Sequence, residues 1–352
     1  MRRHPAWLRV ARRSALVAVV LGATGGCASG AGPSPVASPT TRATRSTSSL
    51  VSTRRVGPTT TTEAGAAHAK PARRAPSTTS VRLTLVDPSR PTVSHGSTVA
   101  PTRTLPTIVW LPADDAGHVQ GRDLPWVVFL HGYLTEPEQY TGMLRTWAEA
   151  GYAVVAPTLP LTSSASGPVA DEADMVNEPA DVRFVISSLL ERSASPTGTL
   201  SGLLDARRIG VAGHSDGANV AYATAYSASL GDPRVRAVID LSGELPTGMG
   251  PYPGDGPPML MIHADQDEYV PHAQSAALYD GVSVERWWVE LHGVGHEPPF
   301  AESNAWSAVV DEVTVNFLDR TLGGHAVSAA TIAAAANQPP TATLEASAPA
   351  GG

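Results

Sequence analysis

The sequence predicts an α/β fold in which helices flank a mostly parallel β-sheet. Between residues 81 and 323, short apolar runs alternate with segments whose apolar residues recur at helical spacing. Runs such as 126–132 and 152–157 are apolar almost throughout, as strands that are covered on both faces require. Parallel strands need long crossover connections, which are usually helices, so this alternation favours a parallel sheet.

Each predicted element rests on a local pattern. Segment 136–151 brings Met143, Leu144 and Trp147 to one side and ends at a glycine, which indicates an amphipathic helix with a C-terminal stop. Loop 243–257 is rich in Gly and Pro and leaves no room for a helical lid, so no large lid domain is expected. The predicted strands cover 81–87, 106–112, 126–132, 152–157, 207–212, 235–242, 258–264 and 284–291. The predicted helices cover 136–151, 178–192, 216–229, 272–280 and 302–322.

The first 27 residues have the pattern of a secretory signal peptide. A basic start precedes an apolar stretch that is too short to span a bilayer, which takes about 20 residues, and small residues follow. The only cysteine, Cys27, ends the sequence "ATGGC", which is similar to the lipobox of bacterial lipoproteins. We expect an exported protein that a lipid on Cys27 anchors to the outer face of the cell membrane; secretion is the alternative. A single cysteine leaves no internal disulfide.

Two low-complexity segments flank the predicted domain. Residues 28–80 consist largely of Ser, Thr, Pro, Ala and Gly, and such a segment cannot bury enough apolar surface to offset its ordering entropy. We interpret residues 28–80 as a disordered tether and residues 81–323 as the folded domain. Residues 324–352 have the composition of a low-complexity tail, in which the alanine run is compatible with a short helix.

Charge divides along the chain. The whole chain has 25 Lys+Arg and 32 Asp+Glu, and residues 1–80 hold twelve of the basic residues and one of the acids. Subtraction leaves 13 basic and 31 acidic residues in 81–352. Because a domain this acidic repels a polyanion, no nucleic acid is expected as a partner.

Ser215 lies in "GHSDG", between an apolar run and an alanine-rich helical segment. The pattern is G-x-S-x-G, in which the glycines let a serine occupy a sharp turn without clashes against neighbouring backbone. A strand before the motif and a helix after it form the context in which such a serine acts as a nucleophile. The alternative is an ordinary strand-to-helix corner that contains an incidental serine.

Candidates for the acid and the base follow later in the chain. Run 258–264 delivers Asp265 and Asp267 at its carboxyl end, and His296 follows the next predicted strand after a Gly-x-Gly turn. A neutral imidazole accepts a proton near pH 7, and a buried carboxylate fixes its tautomer. His296 is therefore the candidate base, and His292, four residues earlier, is the rival.

On these residues the chain resembles the α/β-hydrolase superfamily, and within it the dienelactone hydrolases, the platelet-activating-factor acetylhydrolases and the chlorophyllase-like esterases. The resemblance spans about residues 81–322 and rests on "FLHGY", "NEPADVRFVI", "GHSDG", "HADQDEYVP" and "GVGH". It implies an α/β-hydrolase fold. The pattern H-G-x-x-D-x-x-V-P matches Asp267, with Ala264 in place of the usual glycine. The resemblance thus implies Ser215, Asp267 and His296 as the triad, with Asp265 as the alternative acid.

The segment "FLHGY" is the candidate oxyanion site. The His-Gly turn after the predicted strand directs the backbone N–H of Tyr133 at the developing negative charge, and the N–H of Asp216 is the second donor. Both donors belong to the backbone, so the side chains of Tyr133 and Asp216 are not needed for this role.

Together these residues predict a serine hydrolase that cleaves carboxylic esters through an acyl-enzyme. The alternatives are a peptidase or thioesterase that uses the same triad, and a non-catalytic surface binding protein on a hydrolase fold. The expected partners are an ester substrate and, through Cys27, the membrane lipid. We expect a monomer without a cofactor. Asp265, Asp267, Glu268 and the nearby histidines show no metal-ligand spacing, so no metal is expected.

Overall fold

The computed structural model describes residues 77–349. The predicted signal peptide, Cys27 and almost all of the predicted tether lie outside the described residues and stay predictions. No helix within residues 77–349 is long and apolar enough to cross a membrane.

Strands and helices alternate along the described chain, at nearly the positions that the sequence predicts. The strands are β1 (Ser77–Asp87), β2 (Thr92–Ser94), β3 (Ser97–Ala100), β4 (Arg103–Ala113), β5 (Leu124–Leu130), β6 (Ala153–Pro157), β7 (Leu204–His214), β8 (Val235–Leu241), β9 (Met259–Ala264), β10 (Arg286–Leu291) and β11 (Ala342–Ala348). The helices are α1 (Thr141–Glu149), α2 (Glu178–Ala194), α3 (Asp216–Tyr226), α4 (His272–Asp280), α5 (Pro298–Ala301), α6 (Ala305–Thr321) and α7 (Ala329–Ala336). Short 3₁₀ helices cover Pro137–Tyr140, Ser164–Val169 and Glu172–Asn177.

Nine of these strands form one sheet in the order β1-β4-β6-β5-β7-β8-β9-β10-β11. The six central strands, β6, β5, β7, β8, β9 and β10, run parallel to one another. Strands β1, β4 and β11 pair antiparallel with their neighbours. The predicted mostly parallel sheet is confirmed. Strands β2 and β3, which the sequence patterns do not show, form a separate hairpin.

Apolar side chains cover both faces of the sheet. On one face Trp147 of α1 and Phe317 of α6 belong to a single buried cluster. On the other face Tyr222 of α3 belongs to a second cluster. The adjacent Trp287 and Trp288 of β10 lie in different clusters, because successive side chains of a strand point to opposite faces.

The sheet continues beyond residue 323, which corrects the interpretation of 324–352 as a tail. Helix α7 begins after Ser328, whose side chain accepts the N–H of Thr331, and it buries Ile332 against α6 and the sheet. Strand β11 then pairs with β10 and covers an edge that would otherwise be exposed. The composition is low in complexity, but small alanine side chains pack well when a neighbouring element covers them.

The carboxyl ends of the parallel strands meet at one edge of the sheet, where ligands bind in open α/β folds. Four of these ends are Leu130, His214, Ala264 and Leu291, in β5, β7, β9 and β10. The segments that follow them carry the predicted triad and the predicted oxyanion donors. The topology therefore gathers these residues at one edge.

Candidate active site

Ser215 occupies a strained turn between β7 and α3. Its φ of 56° and ψ of −125° lie where residues other than glycine are rare. Its backbone N–H donates to the carbonyl oxygen of Leu241 (2.9 Å), which holds the turn against the end of β8. This conformation is the one that a nucleophile elbow requires.

Close backbone approaches explain the glycines around Ser215. A Cβ on Gly213 would lie 2.1 Å from the carbonyl oxygen of Gly217, and one on Gly217 would lie 2.2 Å from that of Leu130. Neither position admits a larger residue unless backbone moves. A Cβ on Gly132 would lie 3.3 Å from Cβ of Ser215. The turn after β5 therefore lies directly against Ser215.

His296 and Asp267 form a buried pair. Nδ1 of His296 lies 2.6 Å from Oδ2 of Asp267, and the two side chains are 5% and 1% exposed. A carboxylate only accepts, so Nδ1 carries the proton and Nε2 of the neutral ring is unprotonated and able to accept a proton. The other carboxylate oxygen accepts the backbone N–H groups of Tyr269 (2.9 Å) and Val270 (2.7 Å). Burial raises the pKa of Asp267, but the hydrogen bonds and the contact with His296 outweigh it and hold that pKa below its usual value.

Asp265, the alternative acid, pairs with a different histidine. Its Oδ2 lies 3.3 Å from Nδ1 of His292, and its Oδ1 accepts the N–H of Gly293 (2.7 Å). The side chains of Asp265 and His292 are 35% and 34% exposed, respectively. The candidates thus form one buried pair and one partly exposed pair. Within residues 77–349, no group of three or more His, Cys, Asp or Glu residues is placed to hold a metal ion.

His214 connects the Ser215 turn to His296. Its Nε2 donates to the backbone carbonyl oxygen of His296 (3.1 Å), so its Nδ1 accepts the hydroxyl of Tyr140 (2.9 Å). The ring centroids of His214 and His296 are 4.5 Å apart. Burial, and then the nearby His296, holds the pKa of His214 well below its usual value, so the ring stays neutral. The neutral ring of His214 therefore holds the backbone of His296 next to the Ser215 turn.

The predicted oxyanion donors follow Ser215 and the turn after β5 that lies against it. Asp216 is the first residue of α3, and the amino end of a helix favours negative charge. Tyr133 follows Gly132, and its backbone N–H donates to no acceptor within the described part of the chain. The next N–H, that of Leu134, is bonded to the carbonyl oxygen of Thr162 (2.6 Å). The N–H of Tyr133 is thus available to a ligand.

Comparisons with known proteins agree with this architecture. Residues 85–243 match the family model described as chlorophyllase. A ferulic acid esterase from Streptomyces cinnamoneus matches with a TM-score of 0.57 at 21% identity, over 79% of this chain and 98% of that chain. The chain has the α/β-hydrolase fold. No curated protein matches it.

The family match covers only part of the candidate site. It includes Tyr133, Ser215 and Asp216, and it ends at residue 243, before Asp267 and His296. The Asp–His pair therefore rests on the geometry described above. Ser215 follows β7, Asp267 follows β9 and His296 follows β10, which is the chain order Ser, Asp, His of the α/β-hydrolases.

Two tyrosines and several carboxylates lie near the candidate site. The ring of Tyr269 packs edge-on against His296 with a centroid distance of 5.2 Å, and Tyr269 is 37% exposed. Burial, and then the charges of Glu172, Asp171 and Asp216, raises the pKa of Tyr133. The mouth of the site therefore combines aromatic surface with negative charge.

His263 lies close to Asp267 and Glu290 lies close to His263; of these two residues, the sequence patterns missed Glu290. Nε2 of His263 donates to the carbonyl oxygen of Val270 (3.1 Å) and lies 3.7 Å from Oδ2 of Asp267. Oε1 of Glu290, on β10, lies 3.8 Å from Nδ1 of His263. Burial lowers the pKa of His263, but Glu290 and the other acceptors outweigh it and raise that pKa. His263 stands out as a histidine at a strand end, whereas no pattern marks Glu290.

Proposed function

We propose that this α/β-hydrolase is a serine hydrolase of carboxylic esters. The observation that carries the proposal is the buried pair of His296 and Asp267, 2.6 Å apart, which His214 ties to the strained turn at Ser215. In this proposal Ser215 is the nucleophile, His296 is the base, and Asp267 orients His296.

The proposed acylation transfers one proton and exchanges one bond. Nε2 of His296 takes the hydroxyl proton of Ser215 as Oγ attacks the carbonyl carbon of the ester. The backbone N–H groups of Tyr133 and Asp216 stabilise the resulting oxyanion. His296 then gives its proton to the leaving alcohol oxygen as the C–O bond breaks, which leaves the acyl group on Ser215. Water then attacks the acyl carbon as His296 takes one of its protons; His296 returns that proton to Oγ of Ser215 as the bond between Oγ and the acyl carbon breaks, and the carboxylic acid is released.

The comparisons favour an ester as the substrate. The match to the chlorophyllase model and the similarity to a ferulic acid esterase both support an ester hydrolase. A peptidase or a thioesterase would use the same nucleophile, base and oxyanion donors, so the acyl derivative is the variable to test. The residues that line the site determine which acyl and alcohol groups the enzyme accepts.

Hydrolysis of p-nitrophenyl esters, from acetate to palmitate, tests the proposal with the full chain. The substitution Ser215→Ala is expected to lower kcat by about 10⁶, as loss of the nucleophile does in other serine hydrolases. Ser242→Ala is the matched control, because Ser242 is a buried serine with a φ of 53° that directly follows β8. Reaction with a fluorophosphonate is expected in the wild type and in Ser242→Ala, and not in Ser215→Ala.

Three results would contradict the ester-hydrolase proposal. Full ester turnover by Ser215→Ala would remove Ser215 from the mechanism. Turnover of amides or thioesters without turnover of esters would favour the peptidase or thioesterase alternative. A folded wild type that reacts with no fluorophosphonate and cleaves no ester would favour a binding protein.

A further inference from the structure

The turn that carries Tyr133 contains a strained residue. Leu134 has a φ of 54°, which is rare for a bulky side chain and persists only where the surroundings hold it. The N–H of Leu134 donates to the carbonyl oxygen of Thr162 (2.6 Å), and Thr135 forms a parallel bridge with Ser163. The segment after β6 therefore holds the turn after β5 in its strained form.

Thr162 is held in turn by Glu178, at the start of α2. Oγ1 of Thr162 donates to Oε1 of Glu178 at 2.5 Å, and both residues are 1% exposed. Arg103 of β4 joins α2 to the sheet, since its guanidinium lies 2.5 Å from Asp181 of α2 and 2.6 Å from Asp174 in the 3₁₀ helix before α2. Glu178 thus links the segment after β6 to a fixed helix.

The environment of Glu178 favours its neutral form. Burial raises the pKa of Glu178 well above its usual value, and the nearby Asp181, Asp174 and Asp216 raise it further, against the hydrogen bond from Thr162. A neutral carboxyl accepts the Thr162 hydroxyl without adding negative charge near Asp216. This matters because the backbone of Asp216 is a proposed donor to an anionic oxygen.

We propose that Thr162 and Glu178 are positioning residues of the oxyanion site. They hold the strained turn at Leu134 so that the N–H of Tyr133 meets the oxyanion, and neither touches the substrate. This inference rests on the proposed function. Complete loss of one oxyanion donor costs about 10²–10³ in kcat, so a loosened donor is expected to cost about 10-fold.

Variants of this pair and a matched control test the inference in the full chain. Thr162→Val and Glu178→Ala are each expected to lower kcat for p-nitrophenyl acetate about 10-fold with little change in KM. The double variant is expected to lose no more than either single variant, since both act through one contact. Glu178→Gln, which keeps the acceptor and the neutral charge, is expected to match the wild type. Thr224→Val is the control, because Thr224 is a fully buried threonine whose hydroxyl bonds only within α3.

Amide hydrogen exchange gives a readout that does not require turnover. In Thr162→Val, exchange in residues 132–135 is expected to be at least 10-fold faster than in Thr224→Val at matched stability. Equal exchange and equal kcat in Thr162→Val and Thr224→Val would overturn the positioning role. A loss in Glu178→Gln as large as in Glu178→Ala would overturn it as well. An inactive wild type would instead overturn the proposed function, while the exchange comparison still decides whether the pair holds the turn.

Discussion

Nε2 of His214 donates a hydrogen bond to the backbone carbonyl oxygen of His296 at 3.1 Å, across 82 residues of sequence. His214 directly precedes the proposed nucleophile, and His296 is the proposed base. A nucleophile and its base must be held within hydrogen-bond reach, although they come from different loops. Here the backbone of His296 is held by His214, the residue before Ser215, and the ring of His296 is held by Asp267.

His214→Ala is expected to lower kcat about 100-fold, because a shift of about 1 Å at a reacting group costs that much. The substitution removes the donor to the carbonyl oxygen of His296 and leaves Ser215 and its glycines in place. Ester hydrolysis and thermal unfolding, measured on the same preparations, check the prediction. Tyr140→Phe is the milder companion, since it removes only the hydroxyl that Nδ1 of His214 accepts. A folded His214→Ala protein with full kcat would contradict the positioning role.

Asp267→Asn is expected to lower kcat by about 10⁴, the loss seen when a triad carboxylate is replaced by an amide and the histidine takes the wrong tautomer. Asp265→Asn is expected to leave kcat close to the wild-type value, because Asp265 contacts His292 and not His296. The two carboxylates lie two positions apart after β9, so the pair is a matched comparison. Steady-state kinetics on the same p-nitrophenyl ester decides it. The opposite ranking would make Asp265 the acid of the triad.

The fold was predictable where burial leaves a pattern in the sequence. Strand β5 is covered on both faces, so every position of 126–130 is apolar. The sharp turn at Ser215 was predictable from the glycines on either side of it, because a close backbone approach admits no larger residue. Strand β11 was not predictable, because its alanine-rich sequence resembles a tail and only the pairing with β10 makes it a strand.

The contacts between distant side chains were not predictable in the same way. A pattern shows that a polar residue follows a strand, but it does not show what the residue faces. The sequence therefore left Asp265 and Asp267 open until the family pattern favoured one of them, and the structure shows which of the two contacts His296. Glu178 lies in the segment "NEPADVRFVI" that carries the resemblance, but its contact with Thr162 was not predictable, because that contact depends on how α2 packs against the sheet.

Asp240 is a buried carboxyl that lies at the end of β8, outside the proposed triad. The residue is fully buried, and its Oδ1 accepts the backbone N–H of Gly243 (2.9 Å). Within residues 77–349 its Oδ2 has no hydrogen-bond partner. Burial raises the pKa of Asp240 to about 7, although the Gly243 N–H and the nearby His263 oppose the shift. Folding therefore keeps this carboxyl protonated well above the pH at which it ionises in the unfolded chain.

Asp240→Asn is expected to change how stability depends on pH. In the wild type, the native state holds a proton that the unfolded state has lost between about pH 3.8 and pH 7, so stability falls as pH rises through this window. Asparagine keeps the acceptor for Gly243 and does not titrate. The free energy of unfolding of the variant, relative to that of the wild type, is therefore expected to rise from pH 4 to pH 7.5. The difference in pKa between the native and unfolded states corresponds to a rise of up to about 4 kcal/mol. Urea unfolding at a series of pH values measures the difference, with Asp280→Asn as an exposed carboxylate control. A difference between Asp240→Asn and the wild type that stays constant with pH would show that Asp240 ionises equally in both states.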